Sequence, residues 1–500
     1  MMIACEREFL KAHTGLDELI EKVRQAGADG QRVDEVERTI FAELMAIGFH
    51  LIGGFVAAAG KGDLGEALDI PAGGVAPTTD ADVTSRRLRR LPEPHTRAYV
   101  SIFGKLAITR YVYGTREGQK IEAVPLDARL GLPEGDFSYV LEDWQQRLCI
   151  KESFAEATET LAELLGVAPS VRAAEVMNQQ MADSAHCFRV EQPCPPAKEE
   201  GELLVFTADG KGIPMRRPAG EHRQSGRRTK GEKANKKQMS YVGAVYSIDR
   251  FQRTAEDVID ELQRKQTASE RPRPRHKRVT AEMTRVLEGE EFNGRVTLFG
   301  ELSDEVELRN PGGRKTVVAV MDGERALWDT LALYLPSAVG ILDIFHVMER
   351  LWLAAHVFHA EGSDAARHFV TQRLRMLLEG RVGGVIGGLK QMLTKQRLSA
   401  AKRRTLRAVI GYFSNNRAHM QYDEYLSAGY PIGSGVAEGA CRHLVKDRLE
   451  QTGMRWTVEG AQAMLHLRAT YLNGDWHPFL TYRIEKEQER LYPYKTSLAM

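Results

Sequence analysis

Residues 203–210, LLVFTADG, and residues 316–323, TVVAVMDG, share one pattern, an apolar run that ends in Asp-Gly. Uninterrupted apolar and β-branched residues predict strands buried within a sheet. Each glycine lets the chain turn away, so we expect Asp209 and Asp322 at the ends of their strands. In an α/β sheet, both carboxylates would then face the crevice beyond the strand ends.

These two carboxylates have two interpretations. Asp-Gly is a common turn signal, which is the better explanation for either aspartate alone. Two carboxylates on adjacent strands can instead share Mg²⁺ or Mn²⁺, hard cations that leave positions open for phosphate and water. Such ions support in-line phosphoryl transfer. Because the pattern occurs twice, it favours a metal site formed by Asp209 and Asp322.

The chain continues to alternate between strands and helices up to about residue 346. Residues 238–250 and 338–346 are strand candidates, and RVTLFG at 295–300 is interpreted as another. Residues 347–430 are expected to be helical almost throughout. Strands that alternate with helices predict an α/β fold.

Residues 431–456, PIGSGVAEGACRHLVKDRLEQTGMRW, contain a candidate third acid. Ser434 is placed to cap a helix whose first turns include Glu438. In one interpretation Glu438 forms a surface ion pair with Arg442, four residues later. In the other it projects towards the two aspartates and completes the metal site. Sequence spacing leaves both interpretations open.

The N-terminal part of the chain is predicted to be mainly helical. Residues 1–60 have helical apolar spacing, and 41–60 is interpreted as a buried helix. Residues 60–98 are expected to form a connector with a basic strip. Residues 98–113 predict a β-hairpin around Gly104.

Residues 154–180 have the form of a helix-turn-helix unit. One helix ends at Gly166, a short turn follows, and a second helix carries Arg172. A plain helical hairpin has the same pattern, so DNA binding is one of two interpretations. A Pro- and Glu-rich linker at 191–202 closes this region.

Bulk composition limits the classes of function. A chain of 500 residues predicts two to four domains, and its net charge of +1 restricts nucleic-acid binding to local basic patches. Five scattered cysteines without a CxxC pair favour reduced thiols over a zinc site. The first residues lack the apolar core of a signal peptide, so we expect a soluble, cytoplasmic protein.

Two basic stretches are candidates for phosphate contacts, residues 211–237, expected to be a mobile loop, and RPRPRHKR at 271–278. Solvated loops are the alternative. Arg455 and Trp456 could stack on an extruded base, although a buried tryptophan is the commoner outcome. The candidate DNA-binding residues are Lys211, Arg216, Arg217, Arg442, Lys446, Arg448, Arg455 and Trp456.

Four ordered motifs together resemble ISKra-type bacterial insertion-sequence transposases, of the Mutator-like DDE superfamily. They are TADGKGIPM (207–215), VMDGERALW (320–328), ILDIFHVMERLW (341–352) and IGSGVAEGACRHLVKDRLEQTGMRW (432–456). The resemblance covers most of the chain and includes PLDARLGLP at 125–133 and the hairpin motif before it.

The resemblance implies an RNase H-like catalytic core with three metal-binding acids. Carried onto this sequence, these acids are Asp209, Asp322 and Glu438. Asp343 is a rival for the second position, because it also follows a strand. With His346 it fits the family's C/D-x-x-H signature, which implies supporting or DNA-positioning roles. A histidine packed at a helix start is the alternative for His346.

The resemblance also implies a reaction and its partners. A Mg²⁺- or Mn²⁺-dependent enzyme would bind double-stranded DNA at the transposon's terminal repeats, cleave a strand, and join the 3′-hydroxyl to target DNA. A homodimer would handle the two ends. Rival interpretations are an RNase H-like nuclease and a non-catalytic DNA-binding protein; no G-x-G-x-x-G supports a Rossmann-type enzyme.

The expected domains follow from these assignments. They are a helical region at 1–95, a hairpin and helix-turn-helix region at 96–190, the linker 191–202, a first core part at 203–346, a helical insertion at 347–430, and the last core helices with the tail at 431–500.

Overall fold

The computed structural model describes residues 2–71, 85–115, 121–217, 237–263, 271–451 and 453–498. The chain divides into two compact units, Met1–Phe188 with Trp476–Met500, and Arg189–Asp475. The sequence grouped 431–500 with the sheet, but its C-terminal end packs in the first unit. There the Trp476 indole donates to Asp143 Oδ1 at 2.7 Å.

The first unit contains helices and two small antiparallel sheets. Its elements are α1 (Met2–Ala28), α2 (Val33–Ala58), β1 (Ala67–Pro71), β2 (Ser85–Arg90), β3 (His95–Ser101), β4 (Gly104–Arg110), β5 (Tyr113–Gly114), α3 (Pro125–Leu130), α4 (Tyr139–Cys149), α5 (Phe154–Leu165), α6 (Val171–Glu191, which continues into the second unit) and a C-terminal helix, Trp476–Leu491. The predicted hairpin is confirmed as β3 and β4, which pair from His95↔Arg110 to Ser101↔Gly104.

Helix α2 is not the buried helix that the sequence predicted. It packs on α1 around Ala12, Leu19 and Ile47, but Leu51 and Phe55 remain 49% and 57% exposed. Among the described residues, α2 is the one helix long and apolar enough to cross a membrane, judged by length and composition alone. The prediction was wrong because apolar composition does not say whether a partner covers the helix.

The expected connector at 60–98 contains strands instead. SRRLRR forms β2, which pairs with β1 and β5. Alternation along the strand buries Leu88 completely and leaves Arg87 and Arg89 exposed. The basic strip is therefore the solvent face of a strand.

The two-helix pattern at 154–180 is confirmed. Ser153 caps α5 with a capping box to Glu156, and α5 ends at Gly166 in the left-handed conformation, φ 68°. After a short turn α6 begins at Val171. Arg172 contacts Glu175 within its own helix, at 3.3 Å.

The second unit is built on one five-stranded sheet. Its strands and helices are β6 (Leu203–Pro214), β7 (Lys237–Ile248), α7 (Ala255–Leu262), β8 (Arg275–Met283), β9 (Arg285–Leu287), β10 (Glu290–Phe292), α8 (Gly294–Arg309), β11 (Thr316–Met321), α9 (Arg325–Tyr334), β12 (Val339–Leu342), α10 (Ile344–Phe358), α11 (Asp364–Leu378), α12 (Val382–Lys395), α13 (Ala400–Asn415), α14 (Tyr422–Ser427), α15 (Gly435–Ala440), α16 (Asp447–Leu449) and α17 (Val458–Leu472). The chain is thus mixed α/β, as predicted, and 347–430 is helical.

The sheet is mixed, with strand order β12-β11-β6-β7-β8. Strands β6, β7 and β8 pair antiparallel, whereas β11 and β12 run parallel to β6. The centre of the sheet is therefore β6, the strand that carries the first Asp-Gly pair.

Two sequence interpretations in this unit were wrong. RVTLFG lies in α8, because Asn293 accepts hydrogen bonds from Arg295 N and Val296 N and caps a helix there. The expected basic loop at 271–278 contains the start of β8, a strand that the sequence did not predict.

Each face of the sheet packs against its own set of helices. Alternation along the strands places Phe206 and Met321 among residues of α8 and α9. It places Val205 and Val320 on the opposite face, among residues of α10–α14. The helical segment 347–430 thus covers one face of the sheet.

Candidate active site at the strand ends

Three aspartates form a row across the sheet. Parallel pairing aligns the residues that precede them, Ala208 in β6, Met321 in β11 and Leu342 in β12. The next residue on each strand path is Asp209, Asp322 or Asp343. Neighbouring strands lie about 5 Å apart, and residues at equivalent positions share a face. All three acids therefore lie at one edge of the parallel region, on the face covered by α10–α14.

Asp209 lies within a strand rather than at its end. Strand β6 continues to Pro214 beside β7, so Asp209 marks the place where pairing with β11 stops. Its Oδ1 accepts from Gly210 N at 2.7 Å, and its Oδ2 accepts from the Cys441 thiol at 3.3 Å. Burial and the nearby Asp209 charge raise the pKa of Cys441, which keeps the thiol protonated as a donor.

Asp322 is partly exposed, with 28% of its side chain accessible. Its Oδ1 accepts from Tyr412 Oη at 2.9 Å, and His346 Nδ1 lies 3.9 Å from the same oxygen. Burial and the Asp322 charge raise the pKa of Tyr412, so the phenol remains a donor. Helix α13 thus fixes the position of the Asp322 carboxylate through the Tyr412 hydroxyl.

Asp343 is completely buried, and its carboxylate accepts hydrogen bonds from backbone amides. Its Oδ1 caps α10 by accepting from Phe345 N at 2.8 Å. Its Oδ2 accepts from Ser434 N at 3.1 Å and from the Ser434 hydroxyl. Burial raises the pKa of Asp343, although these donors oppose the shift. This carboxylate joins the start of α10 to the loop before α15.

Ser434 therefore differs from its predicted role. It occupies the N-cap position of α15, but its side chain makes no hydrogen bond to that helix. The hydroxyl turns to Asp343 instead. A buried carboxylate is a stronger acceptor than a backbone group and needs its donors more.

Glu438 lies in α15 and is exposed. Partial burial raises its pKa, and the charges of Asp343, Glu349 and Asp209 act in the same direction, while His346 opposes them. Glu438 is therefore electrostatically close to the row of aspartates. The ion pair with Arg442 does not form, since Arg442 Nε lies 3.9 Å from Asp447.

The donor set fits a hard divalent cation, because carboxylate oxygens are the ligands that Mg²⁺ and Mn²⁺ prefer. Partial burial, aided by the charges of Asp343 and Asp209, raises the pKa of Glu438. Within the described ranges, however, no three His, Cys, Asp or Glu side chains are gathered closely enough to hold a metal ion. The row therefore contains suitable ligand types, but within the described residues their side chains are not close enough together to bind one ion.

Six of the eight candidate DNA-binding residues have accessible side chains. Arg216 and Arg217 are exposed beyond β6, and Lys211 lies 3.8 Å from Glu450. Arg442, Lys446 and Arg455 are also exposed. Much of the expected loop at 211–237, namely 218–236, lies outside the described residues.

Arg448 and Trp456 are corrections to the sequence prediction. Both are buried, with 1% and 7% exposure. The Arg448 guanidinium lies over the Trp456 ring at 5.0 Å, and the indole donates to Leu449 O at 3.1 Å. Neither side chain faces solvent, so neither is placed to meet DNA. They stabilise the segment after α15.

Sequence reasoning missed Tyr412 and Cys441, which contact Asp322 and Asp209. Nothing in the local sequence of α13 marks Tyr412, and Cys441, although three residues after Glu438, indicated only a reduced thiol. No protein-family model matches the chain, and no curated protein matches it.

Proposed function

We propose that the protein is a metal-dependent DNA transposase with an RNase H-like core in its second unit. The observation that carries the proposal is the row of Asp209, Asp322 and Asp343 at the edge of the parallel region, near the exposed carboxylate of Glu438. Partly exposed carboxylates such as Asp209 and Asp322 suit the binding of a hard cation and a phosphate.

The order of the elements supports the RNase H-like core. In that fold the first acid lies on the first strand, the second follows the fourth strand, and the third lies on a later helix. Here Asp209 is on β6, the first strand of the sheet, and Asp322 follows β11, the fourth. Glu438 is on α15, after the helical segment that separates it from β12.

Asp209, Asp322 and Glu438 are the residues that would hold Mg²⁺ or Mn²⁺. Bound there, the cation would favour ionisation of an attacking water or 3′-hydroxyl and offset charge developing on the phosphate. Asp322 suits this role better than Asp343, because Asp322 is partly exposed whereas both oxygens of Asp343 are committed to the fold.

The remaining residues of the site have supporting roles in this proposal. Tyr412 and His346 orient Asp322, and Cys441 orients Asp209. Asp343 fixes α10 and the loop before α15, which sets the position of Glu438.

DNA recognition completes the proposal. Five exposed bases and the partly exposed Lys211 would contact the phosphate backbone; the five are Arg216, Arg217, Arg442, Lys446 and Arg455. The α5–α6 pair would recognise the terminal repeats of an insertion sequence. Two ends must be joined together, so the working form would be a homodimer.

The test is cleavage of a labelled duplex taken from the DNA that flanks the gene, with Mg²⁺ or Mn²⁺. Wild type, Asp322→Asn and Asp343→Asn are compared, with Asp364→Asn on α11 as a control because that side chain is 96% exposed. We expect Asp322→Asn alone to abolish cleavage in protein that remains folded. Loss with Asp343→Asn alone would assign the second metal ligand to Asp343. Wild type that binds the duplex but never cuts it would refute the enzymatic proposal.

A further inference from the structure

Arg350 lies beside the candidate site without a charged partner. It follows His346 by four residues on α10, so the two side chains share a face of the helix. Its guanidinium lies 4.7 Å from the centroid of the Tyr412 ring. The hydroxyl of that ring contacts Asp322. The Tyr412 side chain thus lies between Arg350 and Asp322, a proposed metal ligand.

The positive charge of Arg350 is not neutralised by the surrounding protein. Across the described ranges, no carboxylate lies within ion-pair distance of it, and its buried Nε has no hydrogen-bond partner. Arg350 itself is partly exposed, and two more deeply buried arginines of this chain have carboxylate partners. Arg309 pairs with Glu200 at 2.7 Å, and Arg483 pairs with Glu142 at 2.8 Å. A partly buried guanidinium also gains from a nearby anion, and stacking on a ring supplies only part of that stabilisation.

The neighbouring acids do not provide an anionic partner for Arg350. Asp322 directs its Oδ1 to Tyr412, and Glu349 lies 3.7 Å from His346. In the proposed function the acids of the site would bind cations. The unsatisfied group is therefore suited to an anion that arrives with the substrate. A phosphodiester matches it, because the planar guanidinium donates two parallel hydrogen bonds to phosphate oxygens.

We propose that Arg350 binds one phosphate of the DNA strand that enters the site on the Asp322 side. This inference rests on the proposed function for its ligand, a DNA phosphodiester. Stacking on Tyr412 would fix the guanidinium before DNA arrives, so that little side-chain entropy is lost on binding. Arg350 would then position the strand against Asp322.

The test measures binding of duplexes that each carry one uncharged methylphosphonate, moved along the strand phosphate by phosphate. Wild type, Arg350→Ala and Arg350→Lys are compared on duplexes from the DNA that flanks the gene. The control is Arg373→Ala on α11, because Arg373 also lies over a ring, that of Phe369. Thermal unfolding of each variant checks that it is folded.

We expect Arg350→Ala to weaken binding of the unmodified duplex about tenfold. Arg350→Lys should recover part of that loss, and Arg373→Ala should match wild type. At one phosphate position, the uncharged linkage should weaken wild type but cause no further loss in Arg350→Ala. The inference is overturned if Arg350→Ala binds every modified duplex more weakly than wild type by the same factor. It is also overturned if Arg350→Ala binds the unmodified duplex as tightly as wild type.

The outcomes also separate this inference from the proposed function. Wild type that binds with the expected position dependence but does not cut refutes the transposase activity and leaves the role of Arg350 supported. If wild type cuts the duplex but its binding does not depend on the position of the methylphosphonate, the transposase activity is supported and the role of Arg350 is refuted. Wild type that binds none of the duplexes overturns both.

Discussion

Tyr412 donates its hydroxyl hydrogen to Oδ1 of Asp322 over 2.9 Å, although the two residues are 90 positions apart in the sequence. The same hydroxyl accepts a hydrogen bond from Gly323 N at 3.3 Å. Tyr412 therefore fixes both the acid and the turn that follows it. The helical segment 347–430 does more than cover the sheet, because one of its helices sets the geometry of the candidate site.

Tyr412→Phe removes this hydrogen bond and keeps the ring. We expect the cleavage rate to fall about tenfold with little change in DNA binding, because Asp322 would lose its orientation but not its charge. The free energy of unfolding should fall by only about 1 kcal/mol. Single-turnover cleavage and urea unfolding measure the two effects. Tyr425→Phe is the control, since the Tyr425 hydroxyl contacts a backbone oxygen, that of Gly340, at 3.4 Å. Equal rate losses in both variants would contradict the orienting role.

Substitution should reduce the free energy of unfolding much more at Asp343 than at Asp322. Asp343→Ala leaves Ser434 and the start of α10 without their buried acceptor, so we expect the free energy of unfolding to fall by about 2–3 kcal/mol. Asp322→Asn keeps an acceptor for Tyr412 and should change it by less than about 1 kcal/mol. Urea unfolding of both variants decides the matter. A larger loss in Asp322→Asn than in Asp343→Ala would show that the two assignments are exchanged.

Much of this site could be anticipated from local sequence, because its acids follow recognisable strands. The apolar runs before Asp209 and Asp322 gave the strands, and parallel pairing of those strands brought the two acids into one row. The α8 segment differs from its predicted strand, because the β-branched and aromatic residues of RVTLFG favour a strand whereas capping by Asn293 starts a helix. Tyr412 could not be anticipated, because nothing in α13 marks the residue that reaches the sheet.

The thiol beside Asp209 is another contact that local sequence conceals. Cys441 is 232 positions from Asp209, follows Glu438 by three residues and begins a π-helical turn at Cys441–Lys446. Its burial gives an ordinary explanation for a cysteine, which is why the sequence indicated only a reduced thiol. The contact exists because α15 packs on β6 and β7, a tertiary arrangement that no local pattern encodes.

A buried charge cluster on β8 predicts how stability depends on pH. Burial would raise the pKa of Glu282, but His466, at 2.9 Å, and the nearby Arg189 and Arg285 outweigh it and lower the pKa in the folded protein. A carboxyl whose folded pKa lies below its unfolded value of about 4.3 stabilises the fold above that pH. The contribution is lost as the pH falls from there towards the folded pKa.

Glu282→Gln should therefore reduce the free energy of unfolding at pH 7. The variant should also lose less of that free energy than wild type as the pH falls. We expect the free energy of unfolding at neutral pH to fall by about 3 kcal/mol, because the substitution leaves buried cations without their acceptor. Urea unfolding between pH 7 and pH 3 measures the difference between variant and wild type. Glu291→Gln, at an exposed position in β10, is the control and should follow wild type. A difference that stays constant across the whole pH range would contradict the assignment.

Salt dependence of DNA binding distinguishes exposed bases from the buried Arg448. Each phosphate contact releases counterions, so Arg217→Ala or Arg442→Ala should lower the slope of log affinity against log salt by about 1. Arg448→Ala should leave that slope unchanged, because the side chain is buried against Trp456 and faces no solvent. It should lower the thermal unfolding temperature instead, through lost stacking and packing. Arg367→Ala serves as the control, since Arg367 is exposed and pairs with Asp364 in its own helix. A reduced slope in Arg448→Ala with an unchanged unfolding temperature would restore the original prediction that Arg448 binds DNA.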